Sequence, residues 1–322
     1  MNKKWNWPRE AQAAISLSYD DGMDSGLDHA IPDLEDAGFR GTFYLATGYW
    51  RVEARKADWR NAFLNGHEIG NHTVRHPCRG SIHAHNLETY TPQLIQEEIR
   101  DAYTWLNQHI GLDNDRTLAY PCGHLAIGNP PDEDSFLSAV SAYHPAARLA
   151  AGGINDPALV ARNPLRIKAA VIGFPHGEEV EPFIEYCEQT AKLRGWGVIV
   201  FHGVGDEWYT TERVVHQRLI EYLKDKRFWV APVKEVAMHI LHSATKGTKV
   251  TKGTAPSSYS QPLVCAFCAL CVFCGEVTSL ELFVETVVGV IGIFILTVAF
   301  PVFIPEVNRV GTCGQMYLSL RF

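Results

Sequence analysis

Ser18-Tyr19-Asp20-Asp21-Gly22 places two adjacent carboxylates just past an apolar run, Ala13 to Leu17. Neighbouring side chains on an extended backbone point in different directions. One carboxylate can therefore bind a cation while the other faces a water beside it. Taken alone, Asp-Asp-Gly is more often a solvated turn. His72-Thr73-Val74-Arg75-His76 sets two imidazoles four residues apart. If this segment is helical, both rings point to one side and can share a cation. A carboxylate from elsewhere would complete a two-His-one-carboxylate site with positions open for water and substrate. A pair of surface histidines explains the isolated spacing equally well. His67-Glu68 lies five residues before His72, so the H-E-x-x-H zinc-protease pattern is absent. Tyr120-Pro121-Cys122-Gly123 is a Pro-x-Gly turn that can aim a backbone N–H at an oxyanion, although by itself it is only a turn. Val198 to Phe201 is an apolar strand ending in His202, well placed for a general acid near neutral pH. A satisfied core histidine is the even alternative.

These groups need a scaffold that brings strand ends together. From about Ala11 to Leu241, short β-like runs alternate with amphipathic helical patterns. Ala13 to Leu17, Thr42 to Leu45, Thr117 to Tyr120, Gly197 to Phe201 and Phe228 to Ala231 read as strands. Leu27, Ile31 and Leu34 mark one helix face, closed by Gly38. Thr91-Pro92 opens a long helix that Gly111 ends. Such alternation predicts an α/β fold, a parallel sheet or barrel covered by helices, with chemistry on the loops at the C-terminal strand ends.

The 322 residues allow one large domain or two ordinary ones, and a hydrophobic content of 46% suits a globular protein with a sizeable core. The formal charge of −7 leaves no broad basic surface for nucleic acid. No export signal is visible in the first residues, so a cytoplasmic location is slightly favoured. Beyond Ser243 the composition changes. Residues 243–262 read as a linker rich in Lys, Thr, Gly and Ser, and 263–322 as a Cys-rich hydrophobic tail. Thr286 to Ile304 is 19 residues without a charge, nearly enough to span a bilayer, with Pro301 near its end. The tail reads as a membrane anchor or as sequence not native to the protein. The even steps of Cys265, Cys268, Cys271 and Cys274 with apolar residues between them argue against a metal cluster.

Taken together, the motifs resemble those of the polysaccharide deacetylase family, also called carbohydrate esterase family 4 or the NodB-homology domain. Ser18-Tyr19-Asp20-Asp21-Gly22 looks like the family's T-F-D-D-G, His72 to His76 like H-S/T-x-x-H, and Val200-Phe201-His202 like the late L-x-H. Finding all three in order is far more specific than any one. The resemblance covers about Ala11 to Leu241 and implies a distorted (β/α) barrel of the NodB-homology type, with a catalytic domain over residues 1–242. It also implies Asp21, His72 and His76 as ligands of one divalent ion, commonly Zn2+, Asp20 as general base and His202 as general acid. The activity implied is removal of N-acetyl or O-acetyl groups from chitin oligomers, peptidoglycan or acetylxylan. The alternatives are an amidase acting on a small non-sugar C–N substrate and an inactive sugar-binding domain.

The third family motif, usually R-x-P-Y, reads Ala119-Tyr120-Pro121-Cys122 here. The arginine that pairs with the catalytic Asp is missing from it, which should let the Asp20 pKa rise; Arg166 is a candidate for partial compensation. Cys122 and Tyr120 are expected near the oxyanion and pocket, with Tyr19, Trp208 and Tyr209 as further candidate walls. Cys78 and Cys122 should both lie near the metal, as a disulfide or as thiols, and the lack of an export signal tilts the expectation toward thiols.

Overall fold

A computed structural model describes residues 5–80, 85–205, 207 and 209–247. Trp208, the Thr286 to Ile304 stretch and the whole 263–322 tail lie outside the described residues, as does most of the predicted linker. Among the described residues, no helix is long and apolar enough to cross a membrane.

The strands are β1 (Ala13–Tyr19), β2 (Thr42–Leu45), β3 (Glu68–Asn71), β4 (Leu118–Ala119), β5 (Ala147–Arg148), β6 (Ala170–Val171), β7 (Trp196–Phe201), β8 (Gly203–Val204), β9 (Thr210–Thr211) and β10 (Phe228–Val230). Eight of them form one parallel sheet in the order β5-β4-β3-β2-β1-β7-β6, with β10 also paired to β1. β7 runs along β1 from Ala14 to Tyr19, while β10 takes Ala13 to Ile15 and β2 takes Ser18 and Tyr19. An isolated bridge between Arg148 and Ile167 brings the two ends of the curled sheet together. The result is the distorted barrel that the family resemblance implied: a curled parallel sheet whose edge strand β5 is bridged at Arg148 to Ile167, just before β6.

The covering helices are α1 (Ile31–Asp36), α2 (Trp50–Ala54), α3 (Lys56–Leu64), α4 (Pro92–His109), α5 (Glu133–Ser141), α6 (Pro157–Arg162), α7 (Glu181–Leu193), α8 (Arg213–Asp225) and α9 (Val233–Gly247). α4 starts where the sequence places it: Thr91 Oγ1 accepts the Leu94 N–H, and Pro92 fills a position whose N–H has no partner to lose. Its stripe of Ile95, Ile99, Ala102 and Leu106 is fully buried against the sheet.

A layer of rings beneath the strand ends holds β1, β2 and β7 in register. Tyr19 stacks on Phe43 at 4.6 Å and on Phe201 at 5.2 Å, and Phe183 stacks on Phe201 at 5.6 Å. Tyr19 is therefore not a pocket wall, contrary to the sequence expectation. Strand alternation turns Asp20 toward the barrel mouth and Tyr19 toward the helices, where its hydroxyl meets His216 Nε2 at 2.7 Å. Glu68 is also spent on the scaffold: its carboxylate accepts from Thr42 Oγ1, from Thr117 N and Oγ1, and from Lys234 N.

His144 ties the sheet to the site. Its Nδ1–H donates to Arg116 O at 2.9 Å, and its Nε2 accepts from Asn71 Nδ2 at 3.0 Å. Burial lowers its pKa from 6.5 to about 4, and the nearby Arg116 charge adds to this against the Arg116 carbonyl. A histidine depressed in the folded state contributes stability above its unfolded pKa, and that stability drains away as pH falls from 6.5 toward 4. The expected loss is about 3 kcal/mol, at about 1.4 kcal/mol per unit. NMR should find this ring neutral and protonated on Nδ1 at pH 6; an imidazolium there at pH 6 would refute the assignment.

Candidate functional site

Asp20 and Asp21 follow β1 directly. Asp20 N–H donates to Phe201 O at 2.9 Å, extending the β1–β7 ladder by one rung, and then the chain turns sharply. Asp21 has φ 68° and Gly22 φ 58°. A Cβ at Gly22 would lie 2.6 Å from Val52 Cγ2, so both conformation and space require glycine there.

The His72 to His76 segment is not a helix, so helical i, i+4 alignment of the two rings does not apply. It is a loop leaving β3, with Thr73 at φ 65° and His76 at φ 52°. Its shape is imposed from outside. Thr73 N–H donates to Asn71 Oδ1 at 2.7 Å, His76 N–H to Thr73 Oγ1 at 3.1 Å, and Thr73 O accepts from Thr47 N. Buried Glu98 on α4 accepts the Val74 and Arg75 N–H groups at 3.0 and 2.9 Å, and also pairs with the Arg75 guanidinium. The two rings end 4.6 Å apart, brought together by this loop rather than by helical spacing.

Asp21, His72 and His76 converge. Asp21 Oδ1 lies 3.7 Å from His72 Nε2 and 3.5 Å from His76 Nε2. Donors on a tetrahedral zinc with bonds near 2.05 Å sit about 3.4 Å apart, so these separations suit one divalent ion. Three observations make the fit chemical as well as geometric. Asp21 Oδ1 is buried and has no hydrogen-bond partner. His72 Nδ1–H donates to Ala119 O at 2.8 Å, leaving the Nε2 lone pair aimed at Asp21. Burial, only partly opposed by Asp20, lowers the His72 pKa to about 4, so the ring is neutral at pH 7.

Asp20 lies behind this group, 5% exposed, with Oδ2 3.9 Å from His72 Nε2. Its cationic partner is Arg148, at the end of β5, whose Nη2 donates to Asp20 Oδ1. Arg148 is fully buried, with its guanidinium over the Tyr44 ring at 4.7 Å. This corrects two expectations. The motif-three arginine is replaced in space by a residue from a different strand, and the Asp20 pKa falls to about 2. Burial pushes it upward, but Arg148, His72 and His202 together outweigh burial. Arg166 does not compensate: it sits on the Pro164–Arg166 turn and pairs with Glu133 at 2.6 Å.

A cavity of about 470 Å³ opens over these groups, lined by Asp20, Asp21, His76, Tyr120, Cys122, Arg148, Phe174, His202 and Tyr209 among others. His202 follows β7 and stands beside Phe174 and Tyr209, at 6.4 and 5.8 Å between rings. Phe174 and Tyr209 stack on each other at 4.6 Å and form an aromatic wall. Tyr120 is fully buried with its hydroxyl unpartnered, and burial raises its pKa well above the usual range. Cys122 lies exposed on the Pro121–Gly123 turn and is joined to Cys78 in a disulfide with a Cα–Cα distance of 5.8 Å. The expected tilt toward thiols is thus overturned: the loops after β3 and β4 bring the two cysteines to bonding distance.

Arg148, Phe174 and Glu98 escaped the sequence reading. Arg148 had a signal, a lone cation in the otherwise apolar run Ala146 to Ala151. Glu98 carried none, because nothing marks one acid of an exposed-looking Glu97-Glu98 pair as buried.

Residues 9–127 match the family model described as polysaccharide deacetylase. The chain is similar to a gellan lyase of Bacillus sp., at 31% identity over 117 residues; the match covers 36% of this chain and 4% of the lyase. A candidate polysaccharide deacetylase from Mycobacterium smegmatis shares the fold with TM-score 0.55 and 13% identity, over 79% of this chain and 98% of that one. The Xyl-CE4 domain of a multidomain xylanase from the Trinervitermes trinervoides hindgut metagenome aligns with TM-score 0.46 and 15% identity, over 70% of this chain and 90% of that one. The likeness to the polysaccharide deacetylase family model thus spans residues 9–127.

Proposed function

We propose that residues 1–242 are a metal-dependent deacetylase that hydrolyses N-acetyl or O-acetyl groups on a carbohydrate and releases acetate. The observation that carries this reading is Asp21 Oδ1, a buried carboxylate oxygen without a hydrogen-bond donor that faces two imidazole nitrogens. Asp21, His72 and His76 would hold one divalent ion, with Zn2+ the best match to two nitrogens and an oxygen at these separations. Such an ion supplies Lewis acidity toward an acetyl carbonyl and toward water.

The chain's own residues divide the remaining work. Asp20, kept ionised by Arg148, takes a proton from the water that attacks the carbonyl carbon. The tetrahedral oxyanion would face the Cys122 turn, whose backbone N–H is the candidate donor. His202 gives a proton to the departing nitrogen or oxygen as the acyl bond breaks, leaving acetate and a free amine or alcohol. Phe174 and Tyr209 offer aromatic faces to a sugar ring beside His202. The fully formed Asp20–Arg148 pair supports an active enzyme over an inactive binding domain.

Acetate release by the full chain from chitin oligomers, peptidoglycan fragments and acetylated xylan, with and without chelator, tests this reading. Release from at least one substrate, abolished by chelator and restored by zinc, is expected. Oligomer binding without acetate, in protein with bound metal, would favour the inactive domain; turnover of small amides alone would favour the amidase. Glu98→Gln, which weakens the hold on the His72–His76 loop, should lower zinc affinity about tenfold or more, read by competition with a chromogenic chelator. Unchanged affinity would show that the loop keeps its shape without that carboxylate.

A further inference from the structure

His76 has two neighbourhoods, one for each ring nitrogen. Its Nε2 faces Asp21 Oδ1 at 3.5 Å, while its Nδ1 lies 3.7 Å from Cys78 Sγ. Cys78 and Cys122 form the disulfide described above. The donor atoms of His76, Cys78 and Cys122 all lie within 4.8 Å of one another, as do those of Asp21, His72 and His76. We propose that opening the Cys78–Cys122 disulfide creates a second metal site, His76 Nδ1 with two thiolates, which competes with the Asp21–His72–His76 set for the same imidazole.

The chemistry balances with a dithiol as reductant. One reductant thiolate attacks the exposed Cys122 sulfur, the protein S–S bond breaks, and Cys78 leaves as a thiolate. The second reductant thiol then closes its own disulfide and releases Cys122. Both cysteines are thereby reduced by two electrons taken from the dithiol. Zinc or cobalt binding to the pair displaces two thiol protons. Two sulfurs on one tetrahedral ion at about 2.3 Å need a separation of about 3.8 Å, so the sulfurs have only to relax from bonding distance to ordinary contact. Cys2His with an open fourth position is an established donor set for zinc, and thiolates are the softer ligands.

The competition follows from the ring itself. A neutral imidazole has one lone-pair nitrogen and one N–H. In the oxidised protein a proton on Nδ1 leaves Nε2 free for the Asp21 set. An ion bound by the thiolates takes Nδ1 and moves the proton to Nε2, which removes one of the three donors beside Asp20. The site proposed for hydrolysis would then be under thiol control. This last step rests on the reading under Proposed function; the existence of the thiolate site does not.

Cobalt titration of the full chain tests the proposal, with Cys265, Cys268, Cys271, Cys274 and Cys313 replaced by Ser. Of the cysteines left, Cys187 is buried on α7. Oxidised protein should bind cobalt without a thiolate-to-cobalt charge-transfer band. After dithiol reduction, with two new thiols counted, the band should appear, vanish in Cys122→Ser, and need at least tenfold more cobalt in His76→Ala. Reduced protein with two free thiols and no band, or a band indifferent to His76→Ala, would overturn the proposal. Asp21→Asn separates the two readings: it should abolish cobalt binding in the oxidised state and keep the band in the reduced state. Failure of the oxidised protein to bind cobalt would sink the Asp21 site alone.

Discussion

Asp20→Asn should lower kcat for acetate release by roughly 10³-fold while zinc binding stays within a few-fold of the parent, the range expected when one positioned proton acceptor is removed. Asparagine preserves the shape and can still accept from Arg148, but it cannot take a proton from water. The zinc donors proposed here are other residues, so loss of metal is not the route to inactivity. Zinc stoichiometry and kcat measured on the same preparation separate the two. Full activity in Asp20→Asn would mean that another group accepts the proton.

Arg148→Met should be costly in both stability and rate. It leaves a carboxylate buried with no cation beside it, a change worth about 3–5 kcal/mol when one partner of a buried pair is removed. The wild-type Asp20 pKa is lowered from 3.8 to about 2. Its pairing therefore contributes stability above pH 3.8, about 2 kcal/mol by linkage, and that contribution is lost as pH falls through 2. In the variant the burial effect is no longer outweighed by a guanidinium, so the Asp20 pKa rises. Two consequences follow: the acid limb of the activity profile moves toward neutral pH, and the stability deficit shrinks on acidification. Denaturant melts and kcat/KM across pH check both. An unchanged acid limb would remove Arg148 from the role given to it.

Much of the site could be read from the sequence because its motifs sit at strand ends, where a strand's direction and length place the next residue. Ala13 to Leu17 is the body of β1, and the two carboxylates after it fall at the barrel mouth. The apolar run before His202 is β7 for the same reason. What local pattern could not show is which distant groups meet. Arg148 lies 128 residues from Asp20, and they are neighbours only because β5 and β1 belong to one curled sheet. The Cys78–Cys122 link likewise spans 44 residues and joins two loops whose approach depends on β3–β4 pairing. The i, i+4 spacing of His72 and His76 would align the rings only on a helix, and that condition is not met. The loop is instead held by Glu98, Asn71 and Thr47 from outside the motif. Tyr19 was misplaced for a simpler reason: in a strand, the residue before an inward carboxylate points outward.

The most direct measurement is anomalous diffraction at the zinc edge from zinc-soaked crystals of the oxidised chain. The expected result is one strong peak about 2.0–2.2 Å from an Asp21 carboxylate oxygen, His72 Nε2 and His76 Nε2. A fully loaded crystal with no peak there, or with zinc bound elsewhere and Asp21 untouched, would contradict the proposed metal centre.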